Sequence, residues 1–336
     1  MIKETIKKLS GKQNLSKAEA YETMNEIMTG SAAESQIAAF LMALRLKGET
    51  VDEIAGCAQS MREKAVQIRS QKDRIIDTCG TGGDAAGTFN ISTTAAIIAS
   101  AAGAVVAKHG NRAVSSKCGS ADVLKGLGVN IEIPPERVAQ ILEEVGITFL
   151  FAPLMHGAMK FAAPVRRDLG IRTIFNILGP LTNPAGAKRQ LLGVFDESLT
   201  EPMAGVLREL GSEHAIVVHG DGGFDELSTL GRSTVSELRN GIITTYQIDA
   251  QGLGVRRAKL EDLKGGDVEM NVQLIRSILD GKEGPRTDIA VLNAGAALIV
   301  AGRAGTLEQG MDVARHAVES GAALQKLNHW IEATNR

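Results

Sequence analysis

The run Ile75-Ile76-Asp77-Thr78-Cys79-Gly80-Thr81-Gly82-Gly83-Asp84, followed by Thr88-Phe89-Asn90-Ile91-Ser92-Thr93-Thr94, decides the fold. A short apolar strand runs into a loop with three glycines, and an apolar helix begins at about Ser92. Glycines permit positive φ and close approach, so successive N–H groups can converge on an anion. The helix behind them turns its positive end toward the same spot. Asn90, Ser92 and Thr93 are short polar groups that either cap that helix or meet a ligand. The pattern is neither G-x-G-x-x-G nor G-x-x-x-x-G-K-[ST], so it supports neither a dinucleotide fold nor a P-loop. It reads as an anion site of another kind.

Downstream of this run, strands and helices alternate. Strands are expected at Ile75–Asp77, Ala104–Ala107, Val129–Ile133, Thr148–Phe151, Leu191–Phe195 and Ala215–Val218, with helices such as Pro135–Val145 and Pro202–Leu210 between them. That alternation predicts a mainly parallel sheet covered by helices. Asn240-Gly241, between Thr234–Leu238 and Ile242–Ile248, signals a type I′ hairpin and an antiparallel portion. The stretch Ala290–Ala301 is apolar nearly all round and reads as a buried helix.

Upstream, the chain is helical. Ser16-x-x-Glu19, Ser31-x-x-Glu34 and Thr50-x-x-Glu53 are three capping boxes, each before an apolar-periodic stretch. Lys47-Gly48 ends the second of these helices with a cation and a glycine. The expected fold class is α/β: a small all-α N-terminal domain plus a larger α/β domain with a mainly parallel central sheet. The first domain spans residues 1–70, completed by about 164–184, and the second spans 71–336. The helical domain either carries a dimer interface or simply packs on its neighbour.

A chain of 336 residues with 44% hydrophobic and 23% charged residues has the balance of a globular enzyme. Its net charge of −2 and pI near 6.3 offer no general attraction to nucleic acid or anionic membrane. At 3% aromatic residues it has few platforms for stacking single strands. The cysteines Cys57, Cys79 and Cys118 are odd in number with no C-x-x-C pair, which suggests no disulfide framework or zinc site. No signal peptide opens the chain. The longest apolar run, Ile91 to Ala107, is divided by Gly103 and falls short of the ~20 residues of a membrane span. A soluble protein of the reducing cytoplasm is expected.

Three further segments can carry chemistry. The first is Lys108-His109-Gly110-Asn111-Arg112, with Ala113 to Asp122 after it, directly following a buried strand. Ligands of parallel sheets bind beyond the carboxyl ends of strands, so this loop and the glycine loop face one crevice. Lys108 offers a compact charge and Arg112 a planar fork for phosphate, and Ser120 is expected to cap the next helix. The second is His219-Gly220-Asp221-Gly222-Gly223-Phe224-Asp225-Glu226, where adjacent carboxylates suit Mg²⁺ together with substrate phosphates. The third runs from Pro153 to Pro184. It holds His156 and the sequential Arg166 and Arg167, of which one can meet a carboxylate while the other is solvated.

In order along the chain, Gly80-Thr81-Gly82-Gly83-Asp84, Asn90-Ile91-Ser92-Thr93, Lys108-His109-Gly110-Asn111-Arg112, Ser116-Lys117-Cys118-Gly119-Ser120-Ala121-Asp122, Ile171-Arg172-Thr173-Ile174-Phe175-Asn176 and Asp225-Glu226 closely resemble the anthranilate phosphoribosyltransferase family of tryptophan biosynthesis. The resemblance implies a helical domain hinged to an α/β domain, the architecture shared with pyrimidine nucleoside phosphorylases, and a homodimer through the helical domains. It implies anthranilate and 5-phosphoribosyl-1-pyrophosphate (PRPP) as substrates and two Mg²⁺ per subunit. It assigns PRPP to Gly80, Gly83, Asp84, Thr88, Asn90, Ile91, Ser92, Thr93, Lys108, His109, Gly110, Asn111, Arg112, Ala113, Val114, Ser115, Ser116 and Ser120. It assigns anthranilate to Gly80, Asn111, His156, Arg166 and Pro180, and metal to Ser92, Asp225 and Glu226. No certain catalytic acid or base is implied; Lys108 and Arg166 act by charge and positioning. A pyrimidine nucleoside phosphorylase has the same architecture, but its reaction does not need the Asp225-Glu226 pair or the Lys108–Arg112 motif in this form. A nucleic-acid-binding relative without transferase activity would call for a basic surface, which the pI argues against.

Overall fold

The computed structural model describes residues 1–83, 86–113 and 117–336. Seven strands form one sheet: β1 (Ile76–Gly80), β2 (Val106–Gly110), β3 (Ile147–Phe151), β4 (Arg189–Gly193), β5 (His214–Gly220), β6 (Arg232–Arg239) and β7 (Ile242–Asp249). Their order across the sheet is β3-β2-β1-β4-β5-β6-β7. The first five are parallel and the last two antiparallel. The chain thus lays strands to one side of β1, then returns to build on the other.

The β6–β7 turn is the expected hairpin: Asn240 and Gly241 have φ of 52° and 79°, the two positive values of a type I′ turn. β1 ends at Gly80, later than the apolar run alone indicates, because Thr78, Cys79 and Gly80 pair with Leu191, Leu192 and Gly193 of β4. The segment 129–133, expected as a strand, is not one. Val129, Ile131 and Ile133 are buried alternately, as a strand's would be. Yet the chain there meets a helix end instead, Asn130 N–H donating to Thr334 Oγ1 at 3.1 Å.

Among the described residues, the helices before β3 are α1 (Ile2–Ser10), α2 (Lys17–Met28), α3 (Glu34–Lys47), α4 (Val51–Lys64), α5 (Ile91–Ala101), α6 (Ser120–Leu127) and α7 (Pro135–Val145). The capping boxes at Ser16 and Thr50 form as expected. The one at Ser31 does not, because α3 starts at Glu34 with Ala33 as its N-cap and Gln36 Oε1 accepting the Ala33 N–H. Ser31 instead shares a hydrogen bond with Thr29.

Alternate side chains of the sheet enter two cores. Ile216 and Val218 of β5 join a core with α5 and the helix Pro285–Val300, while Ala215 and Val217 join one with α2, α3 and α4. Ala162, Val165, Phe175 and Leu181 belong to the second core with the N-terminal helices. Among the described residues no helix is long and apolar enough to cross a membrane.

Candidate active site

Four parallel strands end on one edge of the sheet in glycine: β1 at Gly80, β2 at Gly110, β4 at Gly193 and β5 at Gly220. Strand order reverses between β1 and β4, which opens a crevice at their carboxyl ends. Gly80 and Gly193 are register partners there. A Cβ on Gly80 would lie 2.1 Å from Asp225 Oδ2, and one on Gly193 would lie 1.4 Å from the Asp225 carbonyl oxygen. Two paired glycines therefore make the space in which Asp225 lies across the crevice.

The Gly82 N–H donates to Asp225 Oδ2 at 2.8 Å. Burial pushes the Asp225 carboxyl above its ordinary range, and the Gly82 amide and a hydrogen bond with Glu226 work against that rise. The next residue, Leu227, is held on both backbone groups by Asn293 of the helix Pro285–Val300. Asn293 Oδ1 accepts the Leu227 N–H and its Nδ2 donates to the Leu227 carbonyl, each at 2.9 Å.

Lys108 is buried beside this pair, 1% exposed. Its ammonium donates to the Thr78 carbonyl and, at 3.2 Å, to Ser92 Oγ. Burial lowers its pKa, against attraction by Asp77, Glu226 and Asp225. Thr78, Ser92, Gly193, Asp225, Glu226 and Asn293 line one small cleft. Cys79, Leu191 and Val218 complete its lining, and Lys108 bonds to two of its residues, Thr78 and Ser92. Its carboxylate and hydroxyl oxygens suit a hard divalent cation.

Helix α5 starts at Ile91, and Asn90 at its N-cap makes no side-chain cap. Asn90 Nδ2 instead donates to the Cys118 carbonyl, and its Oδ1 accepts from Asn271. Thr93 Oγ1 donates to Ser120 Oγ at 3.2 Å. Ser120 is the first residue of α6 rather than its cap; Gly119 is the cap, and Asp122 accepts from the N–H groups of both Gly119 and Ala113. Gly119 is required because a Cβ would lie 2.3 Å from Ala113 N. Thr88 forms an isolated bridge with Lys264.

Gly110 and Asn111 lie at the β2 end, Asn111 Oδ1 accepting from the Arg112 N–H. The Arg112 side chain departs from the expected phosphate fork. It pairs with Glu132 at 3.0 Å and lies over the Phe151 ring, about half exposed. Asp84, Val114, Ser115 and Ser116 lie outside the described residues.

On the other wall, His109 Nδ1 meets the Gly179 carbonyl at 3.1 Å and His109 Nε2 meets His156 Nε2 at 3.1 Å. A carbonyl only accepts, so Nδ1 of His109 carries the proton, and its bare Nε2 accepts from His156 Nε2–H. Burial keeps both rings neutral, with pKa values lowered to about 3 for His109 and about 4 for His156. Arg166 is partly buried with its guanidinium 5.1 Å from the Phe175 ring centre, whereas Arg167 is exposed. Pro180 is buried, its carbonyl accepting from Gln190 at 2.6 Å.

Comparison with known proteins matches residues 3–65 to the glycosyl transferase family, helical bundle domain, and residues 72–324 to the glycosyl transferase family, a/b domain. The chain is 53% identical over 335 residues to the anthranilate phosphoribosyltransferase of Acetivibrio thermocellus, covering 100% of this chain and 97% of that one. It belongs to the anthranilate phosphoribosyltransferase family.

Among solved structures of that family, the Thermus thermophilus enzyme matches with a TM-score of 0.94 and 45% identity, covering 99% of both chains. The Saccharomyces cerevisiae anthranilate phosphoribosyltransferase in complex with PRPP and Mg matches at 0.91 and 26% identity, covering 99% of this chain and 98% of that one. The yeast enzyme has also been solved with 4-fluoroanthranilate, matching at 0.89 and 25% identity and covering 99% and 98%. For an anthranilate phosphoribosyltransferase, this crevice contains residues that motif reading passes over. Asn293 is one; its signal is a lone amide inside an apolar helix, which must find a buried partner. Asn271, bonded to Asn90, sits on an ordinary amphipathic helix and gives no such signal.

Proposed function

We propose that this crevice transfers the 5-phosphoribosyl group of PRPP to the amine of anthranilate, giving N-(5-phosphoribosyl)anthranilate and pyrophosphate in tryptophan biosynthesis. The observation that carries the reading is Asp225 laid over the paired Gly80 and Gly193, with the Gly82 amide and the Lys108 ammonium beside it. The donor lies along the loop 80–83, the start of α5 at residues 90–93, the end of β2 and Ser120. The acceptor lies toward Asn111, His156, Pro180 and Arg166, whose guanidinium pairs with its carboxylate.

Asp225 and Glu226 would hold one Mg²⁺ and Ser92 another, and the metal supplies charge neutralisation for departing pyrophosphate. The donor set fits: carboxylate and hydroxyl oxygens share one cleft. A cation held there would take its other ligands from substrate phosphates. Lys108 and the loop amides stabilise charge growing on the leaving group. The C1–N bond forms as the C1–O bond to pyrophosphate breaks, and the acidified N–H of the new bond then releases its proton to pyrophosphate or water. An aromatic amine is already neutral at pH 7, so the chain's work is alignment rather than deprotonation. The neutral His109–His156 pair adds polarity to the acceptor wall without adding charge.

The assembly we propose is a homodimer through the helical unit. Ala39, Met42, Ala43 and Leu46 line one side of α3, opposite its buried Ile37, Phe40, Leu41 and Leu44, and Leu46 is 76% exposed. We place the enzyme in the cytoplasm, where the buried Cys57, Cys79 and Cys118 stay reduced.

Anthranilate fluorescence tests the reaction, using purified protein with PRPP and Mg²⁺, each omitted in turn. Loss of signal only when all components are present is the expected result. Persistence of the signal in the complete mixture would contradict the assignment.

A further inference from the structure

The segment Ile171-Arg172-Thr173 follows the helix Ala163–Leu169, which carries Arg166, and the transfer reaction as described gives it no task. Arg172 is exposed, yet its guanidinium is held at two points. Nη2 donates to the Gly83 carbonyl oxygen. The guanidinium carbon lies 4.3 Å from the centre of the Phe195 ring. A planar guanidinium can stack on a ring and donate from its edge at once, which an ammonium cannot do.

Phe195 is itself fastened to the glycine loop. Its N–H donates to Thr81 Oγ1 at 3.0 Å, and the Thr81 N–H donates to the Gly193 carbonyl at 3.0 Å. The loop is thus tied to β4 at Thr81, to Asp225 at the Gly82 amide and to Arg172 at the Gly83 carbonyl. Between those ties, Gly82 and Gly83 have φ of 66° and 77°. Without side chains, these two residues would sample many shapes, and ordering them on ligand binding would weaken affinity. A Cβ on Gly83 would also lie 3.1 Å from Arg172 Nη2, so the guanidinium would have to shift by a few tenths of an ångström.

We propose that Arg172 is a positioning residue that holds the Gly82-Gly83 turn in its donor-binding shape, linking the acceptor-side segment to the donor loop. The proposal rests on the donor-site reading of that loop. Removing the side chain leaves chemistry and acceptor contacts in place but returns freedom to the turn, so the loss falls on PRPP alone.

The test is steady-state kinetics of Arg172→Ala, Arg172→Lys, Phe195→Leu and the double variant Arg172→Ala/Phe195→Leu, varying each substrate at saturation of the other. For Arg172→Ala, PRPP KM rises about tenfold, while kcat and anthranilate KM stay within about twofold. The thermal midpoint stays at the wild-type value because the side chain is exposed. Arg172→Lys keeps the charge without the stack and recovers only part of the loss. The double variant is no worse than Arg172→Ala, because both changes release the same contact. Unchanged PRPP KM in Arg172→Ala, or parallel rises in both KM values, would overturn the proposal. Calorimetric titration of the wild type with PRPP and Mg²⁺ separates the two levels. Absence of wild-type binding would remove the donor-site reading and this proposal with it. Normal wild-type binding with an insensitive Arg172→Ala removes the positioning role alone.

Discussion

His109 and His156 show how burial sets charge at single residues. Their folded pKa values, about 3 and about 4, lie below the ordinary 6.5. Below pH 6.5 the unfolded chain therefore binds protons that the folded chain refuses, and stability falls as pH falls. By pH 5 the loss is about 2 kcal/mol per histidine. Asp77 and Asp225, raised by burial, act in the opposite direction, so the comparison with a His156 variant isolates the histidine. Urea unfolding at pH 7 and pH 5 should show this decline, and His156→Gln should show a clearly smaller one; equal declines would refute the neutral pair. Some residues are legible in sequence and others are not. Lys108, Asp225 and Glu226 can be found because charged groups beside glycines at strand ends have few other uses. The direction of Arg112 cannot, because Glu132 and Phe151, which draw it outward, are remote in sequence.

Strands and helices are legible where burial is periodic, and their ends are not. The type I′ hairpin needs only Asn240-Gly241 between two apolar runs. β1 outruns its apolar signal because Thr78-Cys79-Gly80 becomes strand only through pairing with β4, more than a hundred residues away. The segment 129–133 has a strand's alternation, but its Asn130 N–H bonds to a helix end. Helix α3 is apolar on two sides, one buried in the single chain and the other exposed at Ala39 and Leu46. If the second side is a dimer interface, wild type should run as a dimer in size-exclusion chromatography with light scattering. Leu46→Glu combined with Met42→Glu should then shift it to monomer. A wild-type monomer, or an unshifted variant dimer, would refute that use of α3.

At the scale of the molecule, the sheet order brings distant loops together. The class of fold follows from alternating strands and helices, but the reversal between β1 and β4 does not, because strand order leaves no local mark. That reversal places the glycine loop, the β2 end and the Asp225 loop around one crevice, and the register of β1 on β4 aligns Gly80 with Gly193 beneath Asp225. The N-terminal helices share a core with residues of the stretch 162–181, which carries Arg166, so the two walls of the crevice are anchored in different cores. We propose that Asp225 and Glu226, so placed, make donor binding depend on Mg²⁺. Calorimetric titration of PRPP, with and without Mg²⁺, into wild type and into the Asp225→Asn/Glu226→Gln variant tests it most directly. Mg²⁺ should strengthen PRPP binding about tenfold or more in wild type and have little effect in the variant. An equal Mg²⁺ effect in both proteins would contradict it.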